Sequence, residues 1–155
     1  MLIHQHGILN DEYIMKSITL HNKNFEVSIS DAEIATIVDT IANNINETKI
    51  KDPLFIAVMN GAFLFAADVM RKITIPNAEI SFIKLSSYSG TKTTGEVSEL
   101  IGIGQDIKSR NVIILEDIID TGITLEKIMS LLEKEEVADI KVATLLFKPE
   151  AYTKD

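Results

Sequence analysis

Three carboxylates crowd into a short stretch of Val112–Gly122, "VIILEDIIDTG". An apolar run enters Glu116-Asp117, two isoleucines follow, and Asp120-Thr121-Gly122-Ile123-Thr124 comes next. Small and hydroxylated residues in a turn that opens a helix leave backbone N–H groups unclaimed, beside the positive end of the helix dipole. The Thr121 and Thr124 hydroxyls add donors. Such a turn is suited to an anion. Carboxylates beside an anion pocket make chemical sense if a divalent cation lies between them, or if one of them meets a developing positive charge. The plainer alternatives are that Asp120 caps the helix and that Glu116 and Asp117 are solvated. The turn is not a Walker loop, because no Gly-Lys-Ser/Thr is present. "GIGQDI" is not a dinucleotide fingerprint either, because Ile107 stands where the third glycine belongs and the stretch precedes a strand.

The surrounding pattern says what positions these residues. "SISDAEIATIVDTIANNINET" has apolar residues at helical spacing after a capping Ser30 or Asp31. "LFIAVM" is a short apolar run ended by Asn60-Gly61, a buried strand and a turn. "AFLFAADVMRKI" predicts a helix and "AEISFIKLSSY" a strand. "NVIILED" predicts a strand, "TLEKIMSLLEKEE" a helix, and "DIKVATLLFK" a strand ended by Pro149. Strands and helices alternate, and the strands are uninterrupted apolar runs. The expected fold is therefore α/β, a mostly parallel sheet flanked by helices. In such sheets ligands sit beyond the carboxyl ends of the strands, which is where this reading puts Glu116 and Asp117.

Composition sets the limits. The chain has 155 residues, which fits one domain spanning residues 1–155. It has no Cys, excluding disulfides and thiolate metal sites, and the expected location is cytoplasmic. With 15 basic and 23 acidic side chains, the formal charge of −8 repels phosphate backbones, so no nucleic-acid partner is expected. The N-terminal "MLIHQHGILNDEY" is not a signal peptide, and the apolar stretch Leu54–Met70 is too broken to span a membrane. Ser89–Glu99, "SGTKTTGEVSE", is polar and without periodicity, and reads as a mobile loop.

"VIILEDIIDTGITL" resembles the phosphoribosyl-pyrophosphate (PRPP) signature of the type I phosphoribosyltransferases, and Glu-Asp-Ile-Ile-Asp-Thr-Gly is similar to their hypoxanthine-guanine branch. Three more stretches agree in order. "VMNGAFLFAADV" resembles the first active-site loop, "LSSYSGTKTTGEV" the loop that closes over the site, and "VATLLFKPEAY" the strand whose Lys reads the purine. The resemblance runs from about Ile50 onward and implies a Rossmann-like core.

It also implies roles. Asp120 to Thr124 (Asp120, Thr121, Gly122, Ile123, Thr124) would hold the ribose 5-phosphate. Asn60, Gly61, Ser87 and Tyr88 would meet pyrophosphate. Glu116 and Asp117 would face the ribose and the shell of Mg2+, the implied cofactor. Asp120 would be the general base, and Lys148 would read a 6-oxopurine. Residues 86–97 would close during turnover. Family members carry a further C-terminal hood segment with a purine-stacking aromatic residue, a second metal-binding Asp and a basic residue, which this resemblance places past Asp155. The implied activity is purine salvage by transfer of the 5-phosphoribosyl group from PRPP to hypoxanthine or guanine, in a homodimer or homotetramer. The alternatives are a PRPP-binding regulatory protein on the same fold and a transferase for another base. The retained Asp120 and the lack of a basic cluster weigh against the first. Asp120-Thr121-Gly122 and Lys148 weigh against the second.

Overall fold

The computed structural model describes residues 17–85, 99–101 and 107–154, the middle stretch by its backbone alone. Its elements are β1 (Ser17–Leu20), β2 (Lys23–Glu26), α1 (Asp31–Glu47), β3 (Leu54–Val58), α2 (Phe63–Met70), β4 (Glu79–Leu85), β5 (Glu99–Ile101), β6 (Asn111–Ile119), α3 (Ile123–Lys134) and β7 (Asp139–Phe147). The main sheet has the order β5-β4-β3-β6-β7. β3 runs parallel to both β4 and β6, and β6 parallel to β7. Only β5, on the edge, is antiparallel. The expected mostly parallel α/β sheet is what forms.

Alternation along the central strands sends side chains into two separate clusters. Phe55 and Ala57 of β3, with Ile113 and Leu115 of β6, pack against Val38, Phe65 and Val69 of α1 and α2. Leu54, Ile56 and Val58, with Val112 and Ile114, pack on the other face against Ile128 and Leu132 of α3. With both faces covered, β3 is buried at every position, which is why it reads as an unbroken apolar run. Each of its Leu, Phe, Ile and Val side chains contributes roughly 1.5–3 kcal/mol of burial.

The ends of the elements differ from one another in an informative way. α1 starts with a full capping box: the Glu33 N–H donates to Ser30 Oγ, and the Ser30 N–H donates to the Glu33 carboxylate. Ser30, not Asp31, is therefore the cap. At the amino ends of the strands the molecule is stitched shut. Arg110 donates to the Asp52 carbonyl (3.2 Å) and to the Glu79 carboxylate (3.0 Å), and Asn111 donates to the Lys51 carbonyl (3.2 Å). Among the described residues no arginine makes a comparable side-chain seam at the carboxyl ends of the strands.

Two features depart from the sequence reading. β6 continues to Ile119, so Glu116 and Asp117 lie within the strand, not at its end. The reason is that β3 stops pairing with β6 at Leu115, while β7 continues beside it to Ile119. Polar side chains are tolerated there because one flank of the strand is open. In addition, β1 and β2 form a hairpin that the sequence reading left unassigned. Its two-residue turn, His21-Asn22, has φ of 46° and 61°, the geometry of a type I′ turn. No helix among the described residues is long and apolar enough to cross a membrane.

Candidate active site

The carboxyl ends of β3, β4, β6 and β7 meet at one rim, and the sequence-predicted residues that can be described gather there. Asp120 follows β6 directly and Lys148 follows β7. The Lys148 N–H donates to the Ile119 carbonyl (3.0 Å), which locks the two strand exits side by side. As a result Lys148 Nζ stands 3.8 Å from the Asp120 carboxylate, both side chains about half exposed. Asp120 therefore pairs with Lys148. The cap position of α3 is Gly122, and the one side-chain oxygen among the described residues that reaches the first turn is Thr121 Oγ, which accepts from the Ile123 N–H at 3.5 Å, so the reading of Asp120 as a helix cap does not hold.

The turn into α3 is open where the start of α1 is closed. Gly122 holds the cap position with φ +82°, in the left-handed region, which glycine tolerates and L side chains resist. A Cβ there would lie 2.6 Å from the Tyr152 ring and 2.9 Å from the Lys154 side chain. Gly122 is thus needed twice, for its backbone and for the strap that lies on it. That strap, residues 149–154, went unread in the sequence. The Thr153 N–H and hydroxyl both donate to the Thr121 carbonyl, at 3.3 and 3.2 Å. Lys154 pairs with Glu126 of α3 at 2.6 Å, and the Tyr152 ring meets Phe147 edge-on at 5.4 Å. With its carbonyl tied to the strap, the planar Thr121–Gly122 peptide points its N–H the opposite way. The Thr121 and Thr124 side chains remain exposed.

Glu116 and Asp117 are divided by the pleat of β6. Glu116 lines a cleft of about 80 Å³ with Asp120, Thr121, Gly122 and Thr124. Asp117 points to the other face, where its carboxylate lies against Gly61. A Cβ on Gly61 would come within 2.5 Å of it, so a side chain at that position displaces Asp117. Burial, and then the neighbouring Asp117 charge, push the Glu116 carboxyl up to about 7. The two carboxylates thus flank the rim from opposite faces of the sheet.

The Asn60-Gly61 turn is set by the backbone of its neighbours. The Met59 N–H donates to the Ile83 carbonyl of β4 (2.8 Å), the Ala62 N–H to the Val58 carbonyl (3.1 Å), and the Met59–Asn60 peptide is cis. Lys84 of β4 donates to the Asn60 side-chain carbonyl at 3.3 Å. The sequence reading missed Lys84. The available signal was a cation closing the apolar strand "EISFIKL". Ser87, Tyr88 and the whole of the predicted closing loop at 86–97 lie outside the described residues. No three His, Asp or Glu side chains among the described residues gather to hold a metal ion by themselves.

The rim therefore offers a carboxylate–ammonium pair, an uncapped helix entrance, two flanking carboxylates and a glycine turn. Comparison with known proteins gives a consistent result. The sequence profile of the phosphoribosyl transferase domain matches residues 28–155. A hypoxanthine phosphoribosyltransferase of Haemophilus influenzae is 38% identical over 132 residues, covering 83% of this chain and 73% of the relative. A hypoxanthine-guanine phosphoribosyltransferase of Staphylococcus epidermidis is 36% identical, covering 84% of this chain and 73% of the relative. Among solved structures, a hypoxanthine-guanine phosphoribosyltransferase from Bacillus anthracis superposes with a TM-score of 0.77 at 37% identity, covering 84% of this chain and 78% of the other. The hypoxanthine phosphoribosyltransferase of Trypanosoma cruzi, in a variant complexed with its product IMP, superposes with a TM-score of 0.73 at 28% identity, covering 82% of this chain and 70% of the other.

Proposed function

The chain belongs to the phosphoribosyl transferase domain family, and from that premise we propose that it transfers the 5-phosphoribosyl group of PRPP to a 6-oxopurine, hypoxanthine or guanine, releasing pyrophosphate. The observation that carries the choice of base is the meeting of Asp120 and Lys148 at 3.8 Å beside an uncapped helix entrance. An ammonium donates to a carbonyl oxygen and cannot accept from an exocyclic amino group. Lys148 thus suits the oxygen of a 6-oxopurine and not adenine. Asp120, alongside it, suits the imidazole N–H of the same ring.

In this reading residues 120–124 seat the 5-phosphate on backbone N–H groups of the turn and on the Thr121 and Thr124 hydroxyls, the long Ile123 N–H to Thr121 Oγ bond (3.5 Å) giving way to the anion. The purine nitrogen forms its bond to C1 of the ribose while the C1–oxygen bond breaks, and the electron pair leaves with pyrophosphate. The ring proton passes to the Asp120 carboxylate. Glu116, on the cradle side, faces the ribose as positive charge develops there. Asp117, with Gly61 and Asn60, faces the leaving group. The donor set is all oxygen and amounts to two carboxylates, which fits magnesium, an ion that keeps several waters and takes one or two carboxylates plus substrate phosphates. Asp117 would hold it, with Glu116 contributing through water. Bound there, magnesium supplies neutralisation of the charge that builds on the departing pyrophosphate. We extend the proposal to self-association as a homodimer or homotetramer, which the molar mass of the eluting protein checks.

The test is an assay of PRPP with each base in turn, followed by nucleotide detection. Hypoxanthine or guanine should yield the monophosphate and adenine should not. Equal use of adenine would remove Lys148 from its role. Magnesium-dependent PRPP binding without turnover of any base would favour the regulatory reading.

A further inference from the structure

Two cations stand at the carboxyl end of a described strand, Lys148 after β7 and Lys84 in β4. Lys148 has a carboxylate partner in Asp120. Lys84 is different: its described hydrogen-bond partner is the neutral amide of Asn60, at 3.3 Å, and it takes part in none of the ion pairs among the described residues. In a chain of formal charge −8, a cation at the site rim without an anionic partner among the described residues is charge that a ligand anion can use.

Its position is fixed by the sheet. β3 and β4 run parallel and in register to Val58↔Ile83, and the Met59 N–H extends that ladder to the Ile83 carbonyl. The chain leaving β3 therefore turns at Asn60-Gly61 directly beside Lys84. Alternation puts Ile83 into the cluster under α3 and Lys84 on the opposite face. On that same face Asp117 lies against Gly61. The Asn60-Gly61 turn is thus flanked by an ammonium on one side and a carboxylate on the other.

We propose that Lys84 binds the pyrophosphate end of PRPP and of the product pyrophosphate, its ammonium meeting phosphate oxygens across the Asn60-Gly61 turn from Asp117. This rests on the phosphoribosyltransferase reading of the site, and it adds a residue that the sequence motifs do not include. The Asn60 amide holds the ammonium in place while contributing no charge, so the pairing is exchanged for an anion without parting an ion pair. A charge-assisted hydrogen bond to a phosphate oxygen is among the stronger kinds.

The experiment compares the parent protein, Lys84→Met and Lys84→Arg for binding of magnesium pyrophosphate and, separately, of ribose 5-phosphate. Lys84→Met should weaken pyrophosphate at least ~10-fold, about 1.4 kcal/mol, and flatten its dependence on salt. Ribose 5-phosphate affinity should stay within twofold. Lys84→Arg, which keeps the charge, should recover most of the loss. Unchanged pyrophosphate binding in Lys84→Met overturns the proposal. Equal weakening of both ligands also overturns it, because that is the mark of a disturbed turn and not of a lost contact. Were the parent itself to bind neither ligand, the reading of the whole site would fall along with Lys84.

Discussion

Asp120 and Lys148 hold each other across the rim at 3.8 Å, half in solvent, so the two groups assigned to the purine are paired before any purine arrives. An exposed pair of this kind contributes ~0–1 kcal/mol, so parting it costs a ligand little. Asp120→Asn should therefore leave Tm within about a degree while turnover drops by ~10²–10⁴, the usual worth of a positioned base. Full turnover in that variant would reduce Asp120 to a partner for Lys148. Glu116 carries a second prediction. Its carboxyl is pushed up to about 7, by burial first and by Asp117 second, so in the metal-free protein the folded state takes up the proton more readily than the unfolded chain. Its share of stability is fully present below the unfolded value near 4.5 and is lost as pH rises through about 7. Glu116→Gln removes that loss. The variant should match the parent near pH 4.5 and exceed it near pH 8, by about 1 kcal/mol after allowance for partial exposure, or ~2–4 °C in Tm. Thermal melts at both pH values decide it; a constant difference would mean Glu116 does not titrate in this window.

At the scale of elements, the sequence was legible wherever periodicity met a local end signal. The apolar run "LFIAV" is β3, and the Ser30–Glu33 box starts α1 where its spacing predicts. The end of β6 was misplaced because Glu116-Asp117 looks like a strand terminus in one dimension. That β3 stops pairing at Leu115, four positions before β6 ends, leaving a polar strand flank, is a property of the pairing and not of the segment. The β1–β2 hairpin had a readable signal in Ile18, Leu20 and Phe25 around His21-Asn22, a less familiar turn pair than Asn-Gly. The strap over Gly122 could not be read, since nothing in "EAYTK" states that it folds back on the cradle. It changes how the cradle must be tested. Gly122→Ala meets the Tyr152 ring as well as a left-handed φ, and should cost about 2 kcal/mol or more. Adding Tyr152→Ala should recover the contact portion and leave the backbone portion. A double-mutant cycle on Tm measures the split, and strict additivity would show that the ring yields freely.

The whole molecule has two unlike rims. At the amino ends of the strands Arg110 ties Asp52 and Glu79 together. At the carboxyl ends stand Asp120, Lys148, Lys84, Glu116, Asp117 and the uncapped start of α3. Stability and activity should then separate by rim. Arg110→Met should lower Tm by ~2–4 °C, as the loss of about 1 kcal/mol does in a chain of this size, and leave kcat/KM unchanged. Kinetics of the variant at a temperature below its transition check this, and a fall in kcat/KM would mean that the seam positions the site as well.

The closed seam at one rim and its lack at the other give the molecule the mechanics of a book bound along one edge. Thermal opening should start at the leaves that carry the site, where the side-chain links between strand exits, beyond single backbone bonds, are a half-exposed ion pair and a lysine–amide bond. A substrate that reaches from the α3 entrance to the Asn60-Gly61 turn would act as the clasp on that side. Mass action sets the clasp's strength: at a hundred times its dissociation constant a ligand adds ~2.7 kcal/mol. In a molecule bound this way, that gain should appear first as protection of the amides around residues 58–61 and 119–124, before the seam under Arg110 registers anything at all.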